Sequence, residues 1–200
     1  LAGAEPEALE AIRRDLAAVV PEVRAIRTRL VRIERKLRQA LTVGDQVVYP
    51  SFDEPVMGHR FSLDMGAGRV VPADLLSEGT VLALGLLTAL HHPDAPRLVL
   101  MDDVDGALHT TAQVELVRCL RSIQTSRPDV QIVCTSHSPD LLDHVSLEEV
   151  RVMVLDSEGH ARCRRLSDHP EAAKWHKMLR TGEFWSSVGE DWVLEAAGDG

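Results

Sequence analysis

Aromatic side chains are scarce, 4% of the 200 residues, so the interior has to be built from Leu, Val, Ile and Ala. Long apolar runs are missing as well. The longest, Val81 to Leu90, is about half the ~18 residues that a membrane-spanning helix needs, and it contains Gly85 and Thr88. The chain begins Leu-Ala-Gly-Ala-Glu-Pro, without a basic stretch followed by an apolar one, so no export signal is expected and the protein is assigned to the cytoplasm. The three cysteines, Cys119, Cys134 and Cys163, are far apart and form no Cys-x-x-Cys. That argues against a disulfide framework or a zinc site and predicts small buried thiols. Positive charge is in the minority, 22 Lys and Arg against 31 Asp and Glu for a net charge of −9. This excludes general nucleic-acid affinity of the whole surface but leaves room for a local basic stripe. What remains, 44% hydrophobic and 26% charged residues, is the profile of a soluble globular protein with one sizeable core.

The first forty residues read as helix. Leu9, Ile12, Leu16, Val19, Val23, Ile26, Leu30, Ile33 and Leu37 alternate steps of three and four, a period of about 3.5 suited to pairing with another helix. Pro21 predicts a kink or a break into two helices. Arg24, Arg27, Arg29, Arg32, Arg35, Lys36 and Arg38 face only Glu22 and Glu34 in this stretch, which reads either as a solvated helix face or as an arm directed at nucleic acid. From Val43 to Val71 short strand-like runs, 47–49, 61–63 and 69–71, with a tight turn at Gly66-Ala67-Gly68, predict a small β-hairpin element.

The remainder alternates more regularly: helix over 79–90, strand over 98–101, helix over 113–123, strand over 130–134, a short helix around Leu141-Leu142, and a third strand over 150–155 with 161–166 as its partner. Helix over 170–179 and a Trp-rich tail, whose large rings are expected to anchor the terminus on the core, complete the chain. Apolar strands alternating with helices predict an α/β fold, a parallel sheet with helices on both faces. The expected organisation is a helical arm over 1–41 and an α/β lobe over 42–200.

In open parallel sheets ligands lie beyond the carboxyl ends of the strands, so polar residues after the apolar runs are the candidates. Leu98-Val99-Leu100-Met101 runs into Asp102-Asp103, the form of a Walker B strand, whose first acid holds Mg²⁺ and whose second orients or deprotonates the attacking water. Ile132-Val133-Cys134 runs into Thr135-Ser136-His137-Ser138, where a histidine can reach the ligand of a neighbouring strand. Leu76-Ser77-Glu78-Gly79-Thr80 opens a helix whose free N–H groups favour an anion. Each alone has a plainer structural reading, as a turn cap, a loop histidine and a helix start.

Taken together, Ser77, the Asp102/Asp103 pair, Asp105-Gly106-Ala107-Leu108-His109 and His137 resemble the signature loop, Walker B, D-loop and switch histidine of ABC-type ATPase domains. More closely, the chain from about Val20 onward resembles bacterial AAA-family ATPases of the SMC/Rad50-like kind. Asp168-His169-Pro170, Trp175 and the run from Gly182 to Trp192 are similar to that group's C-terminal tail. The resemblance implies a C-terminal lobe of a P-loop NTPase that uses ATP and Mg²⁺ and dimerises through the nucleotide. Asp102 would be the Mg²⁺-associated acid. Asp103 would stand at the position of the catalytic glutamate, one methylene shorter. Ser77, Glu78 and Gly79 would meet the γ-phosphate of an ATP on the opposing protomer, Asp105 would cross that interface, and His137 would sense the γ-phosphate. Thr110 departs from the proline that commonly follows Leu-His. DNA is a partner implied by the same resemblance.

A Walker A sequence, Gly-x-x-x-x-Gly-Lys-Ser/Thr, is lacking: the three lysines are Lys36, Lys174 and Lys177, and none follows a glycine. The expectation is therefore a C-terminal portion completed by an N-terminal Walker A lobe. The alternative is a catalytically inactive interaction or dimerisation module. A hydrolase built on Ser136, His137, Asp140 and Asp143 lacks a nucleophile elbow. A metal site at His91, His92 and Asp94 competes with a plain Pro-flanked polar loop.

Overall fold

The computed structural model describes residues 6–38, 40–43, 46–175 and 177–195. The chain divides into two compact units, residues 1–93 and 94–200, and each is described by itself.

In the first unit, helix α1 (Pro6–Val19) buries Ile12, Asp15, Leu16 and Val19 and stops just before Pro21. The expected helical arm ends there. Residues Ala25–Arg38 form a long strand, β1, paired antiparallel along its full length with β4 (Ser51–Asp64); β2 (Leu41–Val43) pairs with β3 (Gln46–Val48) between them, and β5 (Val70–Pro72) pairs with the end of β4. The physical reason is cross-strand pairing. Ile33 stands opposite Val56, Leu37 opposite Phe52, Thr28 opposite Phe61, Lys36 opposite Asp53 and Arg35 opposite Glu54. These are the β-branched, aromatic and opposite-charge pairs that stabilise sheets. The three-and-four apolar spacing then distributes over both faces of the ribbon, with Ile26 and Leu30 on one and Ile33 and Leu37 on the other. Residue 41, the expected end of the arm, opens β2. The turn at Gly66-Ala67-Gly68 is as the sequence predicts, with φ of 78°, 51° and 77° at the three residues.

Helix α2 (Glu78–Leu90) also follows the sequence pattern and buries Ala83, Leu84, Leu87 and Leu90. His91, at its C-cap, holds the Asp15 carboxylate of α1 at 2.8 Å, so the two helices are clipped by a nearly buried polar pair.

The second unit carries the parallel part of the fold. Strands β6 (Leu98–Met101) and β7 (Gln131–Cys134) are parallel neighbours joined by helix α3 (Thr110–Ser126). The expected larger parallel sheet is corrected here. Strand β8 (Arg151–Leu155) does not extend the β6–β7 pair but forms an antiparallel hairpin with β9 (Ala161–Arg165), and β6–β7 is the one parallel pair among the described residues. The architecture is mixed α/β with small, mostly antiparallel sheets. Strands β6 and β7 are not buried on both sides either: Leu98, Leu100 and Val133 are 51%, 70% and 48% exposed. Of the three thiols only Cys119 is buried, and Cys134 and Cys163 are exposed.

A compact core joins β8 to the C-terminus. Val150, Val152, Leu166, Phe184, Trp192 and Val193 form it, with Trp175 and Trp185 packed against it. His169 meets the rings of Phe184 and Trp192 edge-on. The scarce aromatics therefore concentrate where the tail is anchored. The tail's helix α5 (Thr181–Val188) packs on α4 (Pro139–Leu142) through Gly182, whose N–H donates to Asp143 at 2.9 Å; a Cβ there would lie 1.9 Å from the Pro139 carbonyl oxygen. Among the described residues no helix is long and apolar enough to cross a membrane.

Arg121 of α3 grips Glu149, just before β8, through two contacts of 2.6 Å, and the Ser146 N–H adds a third. The Arg121 guanidinium foremost, with the Ser146 amide, holds the Glu149 carboxyl at about 2, well below its ordinary 4.5. A depressed folded-state pKa stabilises the fold above pH 4.5, and that contribution disappears as pH falls through 2. Because the pair is partly exposed, its worth is about 1 kcal/mol or less. In acid titration of stability, Glu149→Gln should flatten the limb between pH 4.5 and 2, and an unchanged limb would assign the acid sensitivity elsewhere.

Candidate functional site

Strands β6 and β7 end side by side, and their last residues continue into loops that stay hydrogen-bonded to each other. The Thr135 N–H donates to Met101 O at 3.0 Å and the Val104 N–H to Thr135 O at 3.1 Å. One side chain completes the junction. The Thr135 hydroxyl donates to Asp102 Oδ1 at 2.6 Å and accepts from the Asp103 N–H at 2.8 Å. Asp102 is thereby oriented at the strand end, exposed, with Oδ2 free of protein partners among the described residues. Asp103 has φ of 50°, a left-handed conformation that aspartate tolerates better than most residues. Its carboxylate lies over Gly106, where a Cβ would come within 2.8 Å of Oδ2.

Asp105 sits in the turn that follows. Its Oδ1 is buried without a hydrogen-bond partner, a costly arrangement in a packed protein. Although Cys134 is exposed as a residue, partial desolvation of its thiol, reinforced by the Asp105 charge, pushes that thiol up. The buried Gln113 of α3 donates from Nε2 to the carbonyls of Asp105 and Leu108 at 3.1 and 2.9 Å and accepts from Ser138 Oγ at 2.8 Å. Ser138 caps α4 by accepting the Leu141 N–H. His137 lies between Thr135 and that cap, exposed, with no hydrogen bond to Ser136, Asp140 or Asp143 among the described residues. The atoms of a hydrolytic triad are therefore present but not assembled.

Ser77, Glu78 and Gly79 belong to the first unit. Ser77 is the N-cap of α2: its Oγ accepts the Thr80 N–H and lies 2.8 Å from the Thr80 hydroxyl. Ser77 and Glu78 are exposed and Gly79 is buried. Asp102, Asp103, Asp105 and His137 are gathered within the second unit. His91 is engaged by Asp15 rather than open to a metal, and no cluster of three or more His, Cys, Asp or Glu among the described residues could hold a metal ion.

Three candidate functional residues, two in the second unit and one in the first, do not stand out in the sequence. Thr135 lies inside Thr-Ser-His-Ser, its hydroxyl signal masked by the histidine. Gln113 looks like an ordinary polar position of an amphipathic helix, yet it is buried while the apolar Val114 and Val117 are half-exposed. Arg60 of β4 stands directly opposite Arg29 of β1, and with Arg27, Ser62, Val70 and Pro72 it lines a concavity of about 410 Å³ on one face of the three-stranded sheet. Arg27 is paired with Asp64, whereas Arg29 and Arg60 have no ion-pair partner among the described residues.

No curated protein matches the chain by sequence. A family model described as "AAA domain, putative AbiEii toxin, Type IV TA system" matches residues 5–143. The structure is similar to three solved ones. The Smc head domain of Pyrococcus furiosus, solved with an extended coiled coil and the C-terminal domain of ScpA, gives a TM-score of 0.50 at 12% identity over 86% of this chain and 38% of that one. The Smc head domain of Pyrococcus yayanosii, with a coiled coil and joint, gives 0.47 at 15% identity over 94% of this chain and 29% of that one. An SMC ATPase structure from work on ATP-driven dimerisation and DNA-stimulated activation gives 0.47 at 13% identity over 87% of this chain and 96% of that one. The likeness to the first supports a head-type mixed α/β fold. This chain spans well under half the length of both Pyrococcus proteins.

Replacing Thr135 by Val removes the hydroxyl that serves both acids, and should cost about 1 kcal/mol in urea denaturation. Thr135→Ser should restore most of it, and equal losses for both variants would show that the hydroxyl is not what matters.

Proposed function

The chain belongs to this AAA-domain family, and on that premise we propose that it is the nucleotide-binding and hydrolysing C-terminal lobe of an ATP-driven ABC-type ATPase, completed by a Walker A lobe. The observation that carries the reading is the Thr135 bridge, which holds the Asp102 carboxylate and the Asp103 backbone together two residues from His137. Family membership implies nucleotide binding. The finer assignment gives Asp102 the Mg²⁺-associated role. A single exposed carboxylate with one oxygen oriented and the other free suits Mg²⁺, which keeps several waters and takes its remaining ligands from phosphates. When bound, that ion neutralises charge on the phosphates.

Asp103 is assigned to accept the proton of the attacking water. A carboxylate one methylene short of glutamate has less reach, and the left-handed backbone at Asp103 re-aims it. Ser77, Glu78 and Gly79 are assigned to the γ-phosphate of an ATP on the opposing protomer of a homodimer, where the start of α2 offers N–H groups and a favourable dipole. Asp105 is assigned to the same interface. His137, exposed and unpaired, is assigned to donate to a γ-phosphate oxygen.

The exposed apolar face of β6 and β7 supports the need for a completing lobe. Parallel strands are normally covered on both faces, and Leu98, Leu100 and Val133 would lose their exposure against further sheet or helix. The alternative, an inactive interaction module, draws on the shorter Asp103 side chain. In the complete protein, Asp103→Asn should reduce ATP turnover by about a hundredfold or more while sparing ATP binding. Turnover unchanged by this substitution would overturn the assignment of Asp103, and a wild-type protein that binds but never hydrolyses ATP would favour the alternative.

DNA is the proposed polymeric partner, and the Arg29–Arg60 face is its proposed contact. Two guanidiniums placed directly opposite repel each other unless an anion lies between them, and a phosphodiester backbone supplies one. Charge reversal is not needed to test this. The double variant Arg29→Ala/Arg60→Ala should lower the salt slope of duplex binding by about one to two and weaken binding for all sequences alike. An unchanged slope would remove DNA from this face.

A further inference from the structure

The loop that carries Asp105 and the loop that carries His137 meet in one buried side chain. Gln113 is 7% exposed, and a buried primary amide must satisfy two donors and an acceptor or lose stability. Here every requirement is met by a loop. Both Nε2 hydrogens go to backbone carbonyls, Asp105 and Leu108, at the two ends of the turn after Asp103. Carbonyls only accept, so the amide nitrogen has to face them, and Oε1 is left for the Ser138 hydroxyl. That hydroxyl is the cap of α4 and follows His137 directly in sequence. Apart from Gln113, the Asp105–Leu108 turn has only short local bonds among the described residues, Gly106 N–H to Asp103 O at 3.0 Å and Leu108 N–H to Asp105 O at 3.3 Å.

We propose that Gln113 is a positioning residue that couples these two loops, so that a displacement of the Asp105 turn is transmitted to His137 through Ser138. It touches no reacting atom. Its effect on catalysis rests on the proposed ATPase function, but the coupling itself does not.

The test is therefore made in two arms on the complete polypeptide. Hydrogen exchange followed by mass spectrometry needs no nucleotide. Ser138→Ala removes the His137 side of the link together with the cap of α4, leaves both Gln113 bonds to the turn in place, and is expected to raise exchange of the Gly106 and Leu108 amides about fivefold, although neither is bonded to Ser138. Gln113→Glu, which keeps an acceptor for Ser138 but offers no donor to the carbonyls, should produce the same rise, and adding Ser138→Ala to it should bring no further increase. Amides of the turn that ignore Ser138→Ala, or rises that simply add in the double variant, would overturn the coupling. In the second arm Gln113→Glu should lower kcat about tenfold with KM unchanged. Unaltered kcat in an active enzyme would overturn the catalytic consequence. Absence of turnover in the wild type would instead count against the ATPase reading, and the exchange result would still decide the coupling.

Discussion

The second unit depends on the hydroxyl of Thr135. Two parallel strands of four residues each have little sheet to stabilise them, and their ends would fray without a further tie. Thr135 provides it by donating to one acid and accepting from the amide of the next, so that the turn after β6 starts in a defined direction. The left-handed Asp103, the close approach at Gly106 and the position of Asp105 all follow from that start. Gln113 then takes over from the far side, holding the same turn by its carbonyls. The acids are thus positioned by neutral hydrogen-bonding groups, with no cation paired to Asp102, Asp103 or Asp105 among the described residues.

Around this junction the unit is stabilised unevenly. One end is a compact aromatic core in which the C-terminal helices cover β8, Leu166 and Phe184. The other is the β6–β7 pair, with large aliphatic side chains open to solvent. Large aliphatic side chains grouped on one exposed face in this way mark a surface suited to further contacts. The first unit repeats the pattern in a different chemistry: a clipped helix pair at Asp15 and His91, and a long ribbon whose exposed face carries unpaired arginines.

The helical expectation for residues 25–38 shows where local pattern fails. Ile26, Leu30, Ile33 and Leu37 have helical spacing, but β1 is made by its partner: Phe52, Val56 and Phe61, which lie 15, 23 and 33 residues from the positions they oppose, supply the opposing side chains. No window confined to β1 contains them. The third strand is a mixed case. Its expected pairing with 161–166 is present as the β8–β9 hairpin, with Asp156 accepting from Glu158 and His160 in the turn, but nothing in its apolar run tells that it stays out of the β6–β7 pair.

Short-range chemistry was legible in the sequence alone: the Ser77 cap and helix α2, the Gly66-Ala67-Gly68 turn, the β6–α3–β7 unit, the short helix at Leu141-Leu142, and the presence of acids and a histidine after apolar strands. Each depends on neighbours within a few residues, where backbone preference and hydrogen bonding act directly. Only the tertiary structure decided the strand at 25–38, the Arg29–Arg60 juxtaposition, the burial of Gln113 and the use of Thr135 as a bridge. Those depend on groups far apart in the chain, and whether a polar side chain is a surface ornament or the sole partner of a buried carbonyl is settled by what folding brings beside it.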